Sequence, residues 1–427
     1  MPGVFIGSTE ITIVGTIKIG TTDVQEIYVG ATKIFPPGGG DPSITYFYDP
    51  LNDGTLPGGS TFIRASVAEQ YDGTDFAEVG IGVIREDSVQ AVGGAKGYLA
   101  EPLATNEIED SNELDAASWT ATFVTPTDDG VGTLGLNEYS VDAGVVSATH
   151  RLLATVNTIA GEGSFTAIVK QGSGGRYTNI SGKDAPSDYA TYDAQAGTIT
   201  EEGTITDARI VDLGNGYYKC VTQDAVDLGQ AFPVFSISNS ATPGTREPSF
   251  PAANETIIYA YTGFENTAFS TTPIISSAGS ETRQADVLDS GVVITAAFSA
   301  LLDLTLPEIV GTGLTISLLG PDATSTDILR VDASFNIIMD DGGTPTTIGT
   351  SVAGARLKVA YGRDGAGRSG SLDGATAVTG DAPSSAHEGD TFQIGCTNSL
   401  NQSRCVHHTQ TLYNVRKSDA ELETLST

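Results

Sequence analysis

The chain reads as an all-β protein, and three observations say so. Glycine supplies 51 of the 427 residues, in the company of many Thr, Ser, Val and Ile residues. Short runs of alternating apolar and polar residues recur, each bounded by Gly, Asp, Asn or Pro, the pattern of short strands joined by turns. Helical periodicity is nearly absent. Alternation is clearest in EITIVGTIKIG (10–20), GSFTAIVKQG (163–172), EGTITDARIVDLG (202–214) and ARLKVAYG (355–362). The one helical stretch is KSDAELETLS (417–426), where Ser418 as N-cap and Glu421 three residues later predict a capping box.

Five segments follow one another. Residues 1–36 form a small strand-rich unit, and PPGGGDP closes it, so that 37–42 reads as a Pro/Gly linker. Residues 43–105 begin with ITYFYDP and are rich in turns, a β connecting segment. Residues 106–285 hold the single tryptophan, Trp119, and 286–427 complete the chain. No fixed-period repeat is present, which excludes a solenoid.

Charge narrows the partners. Lys and Arg total 21 against 53 Asp and Glu, a formal net charge of −32. Phosphate recognition works by cations that release counterions, so nucleic acid and anionic membrane surfaces are not expected partners. The most apolar window, 291–310, is interrupted by Asp303 and Pro307, and no membrane insertion is expected. The opening MPGVFIGSTEITIVG has neither the cationic start nor the apolar core of a signal peptide. Three cysteines are too few for a disulfide scaffold. Cys396 and Cys405 could pair across one hairpin or stay as two buried thiols, leaving Cys220 single in either case.

Several local patterns are candidate sites. Gly365-Ala-Gly367-Arg-Ser-Gly370 matches the dinucleotide fingerprint G-x-G-x-x-G. That fingerprint works only between a strand and a helix, whose N-terminus faces the pyrophosphate. The following SLDGATAVTGDAPSS is not helical, so the stretch reads as a tight connection between strands, with Arg363, Asp364 and Arg368 as its polar tips. Glycoside hydrolysis needs two opposed carboxyl groups. Glu107, Glu109 and Asp110, or Asp419, Glu421 and Glu423, offer acids, but 53 acids make chance clusters expected. Adjacent His407 and His408 would face opposite sides of a strand and could not chelate one metal. Cys405 and His407 share a face but lack an evident third partner. No catalytic set emerges, and the chain is not expected to be an enzyme. Asp322 and Asp327 in GPDATSTD, with Asp340 and Asp341 in MDDGG, supply the hard oxygens that calcium prefers, so calcium is the one cofactor these turns suggest. Trp119, Tyr177, Tyr189, Tyr192, Tyr217 and Tyr218 are candidate platforms for the apolar face of a sugar ring, with core packing the alternative for each.

Longer stretches resemble a known group. GSTFIRASVAEQYDG (59–73) is similar to the "fTRASsATY" opening of bacteriophage virion structural proteins. KGYLAEPLATNEIEDSNELDAASWT (96–120) resembles the "GlLiEpartNLllnS…W" segment that leads into a jelly-roll carbohydrate-binding module in that group. IVDLGNGYYKC (210–220) is similar to the "lGnGWYR" strand of such modules, with Tyr217, Tyr218 and Lys219 where Trp-Tyr-Arg is usual. ETIIYAYTGFENTAFSTTPIISSAGSETRQADVL (255–288) resembles the closing "iwGaQLE…tSyIpT…TRaaD" element, and the order and spacing of all four stretches agree. RLKVAYGRDGAGRSGSLDGATA, DTFQIGCTN and QTLYNVRKSDAELETLST resemble the paired strands, the next strand and the ending of a concanavalin A-like (laminin-G-type) sandwich. VQEIYVGATKIF (24–35) is similar to short units at the head of phage tail and fibre proteins.

The resemblance implies an N-terminal β attachment unit, then two antiparallel β-sandwiches, a jelly roll and a concanavalin A-like domain. It further implies a virion protein of a tail tip, fibre or capsid spike, on the particle's surface. Residues 1–36 would dock onto other virion proteins, the sandwiches would touch host cell-surface polysaccharide, and the chain would be a homo-oligomer, a trimer by family habit. A polysaccharide depolymerase and a purely structural decoration protein are the alternatives.

Overall fold

The computed structural model describes, with short interruptions, residues 43–81, 98–306 and 316–427, together with strand segments within 18–35. Among the described residues the fold is all-β: antiparallel sheets with one short helix at Asp419–Leu425.

The first sandwich pairs two sheets. One runs in the order Val124–Val131, Asn137–Ala143, Thr256–Glu265, Gly161–Gln171, Tyr217–Val226, Asp207–Gly214. The other runs Trp119–Thr122, Arg151–Ala154, Ala231–Ser238, Tyr177–Lys183, Ala190–Asp193, Thr198–Glu202. Alternation explains the layering, because side chains two apart share a face. Phe165, Ala167 and Val169 therefore enter one core with Ile180, Phe235 and Tyr259. The strand expected over 202–214 is divided: Gly203 to Thr206 turn the chain from Thr198–Glu202 in one sheet to Asp207–Gly214 in the other.

The second sandwich also has two sheets. One contains Val378–Gly380, Gly367–Leu372, Arg356–Asp364, Phe298–Thr305 and Cys405–Tyr413; the other contains Thr346–Thr350, Asn336–Met339, Leu329–Val331, Ile316–Pro321, Thr391–Ile394 and Val287–Val293. Leu302, Leu304, Leu318, Val359, Tyr361 and Phe392 meet between them. The helix lies on the outer face, with Leu422 buried. Its capping box forms as the sequence predicts: Ser418 accepts from the Glu421 N–H, and Glu421 accepts from the Ser418 N–H at 2.7 Å.

Residues 43–105 do more than connect. Ile44–Tyr48 and Tyr98–Ala100 both pair with Cys405–Tyr413, and Thr61–Ile63 pairs with Val287–Val293, so this segment supplies strands to both sheets of the second sandwich. Its hairpin of Ala68–Tyr71 and Phe76–Val79 turns the other way. Tyr71 and Phe76 pack with Leu134, Ile168, Tyr217 and Tyr261 on the outer face of the first sandwich. A turn-rich sequence hides this role, because each strand is too short to show a period and gains its stability from its neighbours.

Within 18–35, Lys18–Ile19 pairs with Thr22–Asp23 and Ile27–Val29 pairs with Thr32–Phe35. The strand expected over 10–20 otherwise lies outside the described residues, as does the linker 37–42.

Candidate functional site

Where the two sandwiches meet, charged side chains are buried in opposite-sign pairs. Arg283 Nη1 lies 2.7 Å from Glu101 Oε2, and Arg64 Nη1 lies 3.0 Å from Asp286 Oδ1, with all four side chains essentially inaccessible. The carboxylates are further saturated. The Thr272 N–H and hydroxyl donate to Glu101 at 2.8 and 2.7 Å, and the Glu101 N–H donates to Asp286 Oδ2 at 3.1 Å. Arg64 also donates to the carbonyls of Ser66 and Gly80 at 2.9 and 2.8 Å. Nearby, burial pushes the Glu265 carboxyl up, opposed by hydrogen bonds from Thr271 and by the charges of Arg283 and Lys219. A buried pair with its remaining valences filled is a fastening that is costly to break. Arg64, Glu101, Arg283 and Asp286 come from three of the stretches that carry the sequence resemblance, and reading along the chain did not single them out.

The aromatic candidates are mostly committed to the interior. Trp119 packs on Phe235 with its indole N–H donating to the Asp110 carbonyl at 3.0 Å. Tyr192 is fully buried, its hydroxyl donating to the Val221 carbonyl at 2.6 Å. Tyr189 is buried beside Glu201. Tyr217 is buried with its hydroxyl on Glu138. None of these four offers a ring face to a sugar, because a ring in a packed core has no free face. Tyr218 is half-buried against Gly197, where a Cβ would fall 2.3 Å from its ring. Tyr177 is half-buried with the Arg176 guanidinium 5.2 Å from its ring centre. Among the described residues the exposed aromatic is Phe123, 56% accessible, in a left-handed backbone conformation (φ 50°) that bulky residues rarely adopt. Its carbonyl takes hydrogen bonds from His150 Nδ1 at 2.8 Å and from the Gly144 N–H at 2.9 Å.

The glycine stretch is the hairpin between Arg356–Asp364 and Gly367–Leu372, and the next element is the strand Val378–Gly380, not a helix. Asp364 caps the turn by accepting from Ala366 and Gly367 at 2.9 and 3.0 Å. Those backbone N–H groups, the Ala366 one first, and Arg416 hold its carboxyl below the usual range against the opposing effect of burial. Arg363 and Arg368 are not exposed tips: both are fully buried, because they share the inward face of the hairpin with Tyr361 and Val359.

Of the acidic turns, Asp340 is ion-paired with Arg330 at 2.6 Å; Asp322, Asp327 and Asp341 lie outside the described residues. Among the described residues no three His, Cys, Asp or Glu side chains gather as metal ligands. Asp110 is occupied in local structure, accepting from Ser118 Oγ and the Ala278 N–H at 2.7 Å each. His407 faces the core against the Tyr98 ring, and His408, also fully buried, turns to the other side of the strand with its Nε2 2.9 Å from Thr305 Oγ1. Cys220 and Cys405 are buried and form no disulfide.

An open polar groove of about 500 Å³ lies on the outer face of the second sandwich. Asp303, Arg356, Leu357, Lys358, Asp373, Ser426 and Thr427 line it. Arg356 meets Asp303 with both prongs, at 2.9 and 3.0 Å, across neighbouring strands. The Lys358 N–H donates to Asp373 Oδ1 at 2.7 Å, fixing the far wall. The groove thus presents carboxylate acceptors beside guanidinium and ammonium donors. Sequence reasoning passed over it, although the signal is present: Arg356 and Lys358 alternate with Leu357 and Val359, and Asp303 stands alone in ALLDLTL. A smaller cavity of about 80 Å³ adjoins the junction, lined by Glu69, Glu78, Glu281 and Arg283 among others. Burial and the facing Glu78 push the Glu69 carboxyl up.

The described residues therefore define an all-β protein of two antiparallel sandwiches, clamped by buried ion pairs and carrying a polar surface groove. No protein-family model matches the chain, and neither does any curated protein sequence. Among solved structures, domain 4 of the extracellular arabinanase AbnA from Geobacillus stearothermophilus, in complex with arabinotriose, is 12% identical, with 38% of this chain and 81% of that one covered and a TM-score of 0.27. Trypanosoma rangeli sialidase in complex with sialic acid is 12% identical over 71% of this chain, with a TM-score of 0.27, and the match spans 52% of the sialidase, about half its length. Mouse laminin alpha1 chain domains LG4-5 are 13% identical, with 67% and 90% covered and a TM-score of 0.20. At these TM-scores no shared global fold is established, and the all-β class rests on the strands themselves.

Proposed function

We propose that this chain is a bacteriophage virion structural protein of a tail tip, fibre or capsid spike, and that its second sandwich binds host surface glycan in the Asp303–Arg356 groove. The observation that carries the glycan reading is the groove itself. Its volume falls within the roughly 300–1,000 Å³ of small-molecule sites. Its walls pair acceptors with donors, as recognition of vicinal hydroxyls requires. The virion reading rests on the sequence resemblance. It is supported by the meeting of Arg64, Glu101, Arg283 and Asp286, residues of separate resembling stretches, in one cluster. Residues 1–36 attach the chain to the particle, and several copies, a trimer by family habit, raise a weak single-site affinity through avidity.

The test has two arms. The full chain is applied to an array of bacterial surface polysaccharides, beside Arg356→Ala and Asp303→Ala variants. Binding that falls at least about tenfold in both variants, a loss of some 1.4 kcal/mol, supports the groove. Binding that neither variant alters, or no binding to any polysaccharide, refutes it. Antibody labelling of intact virions, read by electron microscopy, decides the virion reading separately.

A further inference from the structure

The charges of the surface groove are already spent on one another. Arg356 gives Nε and Nη2 to the two oxygens of Asp303, at 2.9 and 3.0 Å. Asp303 is buried and Arg356 is exposed, so the carboxylate anchors a guanidinium that still reaches the groove. Lys358 stands directly across the sheet from Asp303 and sends its ammonium to the Thr427 carbonyl at 3.0 Å, just past the helix Asp419–Leu425. A cation at that end of a helix complements its dipole. Asp373 is exposed on the far wall and takes the Lys358 N–H through Oδ1. Asp303 and Asp373 stand against Arg356 and Lys358, so the side chains lining the groove sum to no net charge.

Hydrogen-bonding capacity is left over where charge is not. A guanidinium has five N–H donors and an ammonium has three. Asp303 takes two from Arg356, the Thr427 carbonyl takes one from Lys358, and no other acceptor among the described residues takes the rest. Asp373 keeps its second carboxylate oxygen for an outside donor. A hydroxyl both donates and accepts, so the vicinal hydroxyls of a sugar match this set without disturbing it. An anion does not match it. To gain a full cation it must draw Arg356 from Asp303, which leaves a buried carboxylate unpaired, a costly exchange. It also meets Asp373 and the field of a chain with a formal net charge of −32. We infer that the groove selects neutral polysaccharide and rejects uronate-, sialate- and phosphate-bearing polymers. This specificity rests on the glycan reading of the groove.

The test sorts the array of bacterial surface polysaccharides into neutral members, with dextran, mannan and galactan among them, and acidic members, with alginate, hyaluronan and polysialic acid among them. The affinity of the full chain for each is read at low and at physiological salt. The member bound most tightly is expected to be neutral. Its Kd should change less than about twofold as salt rises, because no charge between the partners is screened. Its binding should fall at least about tenfold in Arg356→Ala. An acidic polysaccharide bound most tightly overturns the inference, and the glycan reading of the groove survives if Arg356→Ala abolishes that binding. Binding that Arg356→Ala leaves unchanged moves recognition away from the groove and overturns both, as does no binding anywhere on the array. Should Arg356→Ala not fold, the wild-type chain decides: preference for neutral members, insensitive to salt, supports the inference, and preference for acidic members overturns it.

Discussion

Arg64 and Asp286 are separated by more than half the chain, yet their charged groups touch at 3.0 Å with no solvent access. This contact ties the strand Thr61–Ile63 to the start of Val287–Val293, its partner in the sheet. Asp286 also receives the Glu101 N–H, so one carboxylate fixes three separate pieces of chain at the junction of the sandwiches.

Arg64→Ala leaves Asp286 buried without its cation. The expected loss is about 3–5 kcal/mol, the range for breaking a buried pair from one side. Guanidinium unfolding monitored by circular dichroism measures it. Replacing both residues with apolar ones of similar volume should recover much of the loss, since desolvation of the pair is then no longer needed. A single-variant loss below about 1 kcal/mol would contradict the fastening role.

The two ends of the glycine stretch should respond unequally to the same change. At Gly370 a Cβ would lie 2.4 Å from Ile348 Cδ1 and 3.2 Å from Met339 Sδ, so Gly370→Ala overpacks the core and costs about 1–3 kcal/mol. At Gly365 a Cβ meets nothing, and the backbone is not in the left-handed region, so Gly365→Ala stays within about 0.5 kcal/mol. Urea midpoints of the two variants make the comparison.

Acid should weaken the fold through His407. Burial, reinforced by the neighbouring His408, lowers its value from 6.5 to about 3. The folded state then keeps the ring neutral while the unfolded chain takes up a proton. Stability from this residue is present above pH 6.5 and is lost as pH falls toward 3, by up to about 1.4 kcal/mol per pH unit. Neither ring nitrogen has a hydrogen-bond partner among the described residues, so His407→Leu removes no bond. The variant should show a flatter loss of urea midpoint between pH 7 and about pH 4.5 than the wild type. Equal slopes would count against it.

Trp119 is the one tryptophan of the chain, and it is buried in the first sandwich. A glycan bound in the groove of the second sandwich should leave its fluorescence unchanged. Trp119→Phe should retain glycan affinity while losing roughly 1–3 kcal/mol of stability, since it gives up packing and the bond to the Asp110 carbonyl. Quenching by glycan, with affinity lost in the variant, would return Trp119 to the role of a stacking platform.

The sequence by itself determined the all-β class, the main strands and the terminal helix. Those are local properties: alternation in 163–172 and 355–362, Gly and Asp at the turns, and Ser418 with Glu421 at the cap all act within a few residues. The hairpin reading of the glycine stretch was legible for the same reason, because no helical sequence directly follows it. Facing and pairing were decided only by the tertiary structure. Arg363 and Arg368 look like the tips of an exposed loop in sequence, but the register of their hairpin turns both inward with Tyr361. Trp119, Tyr189 and Tyr192 could have been platforms or core, and packing between the two sheets made them core. The groove joins Asp303 to Arg356 across two strands, and the junction joins Arg64 to Asp286 and Glu101 to Arg283. Such contacts depend on which strands become neighbours, and that choice belongs to the burial of apolar faces over the whole chain rather than to any short stretch of it.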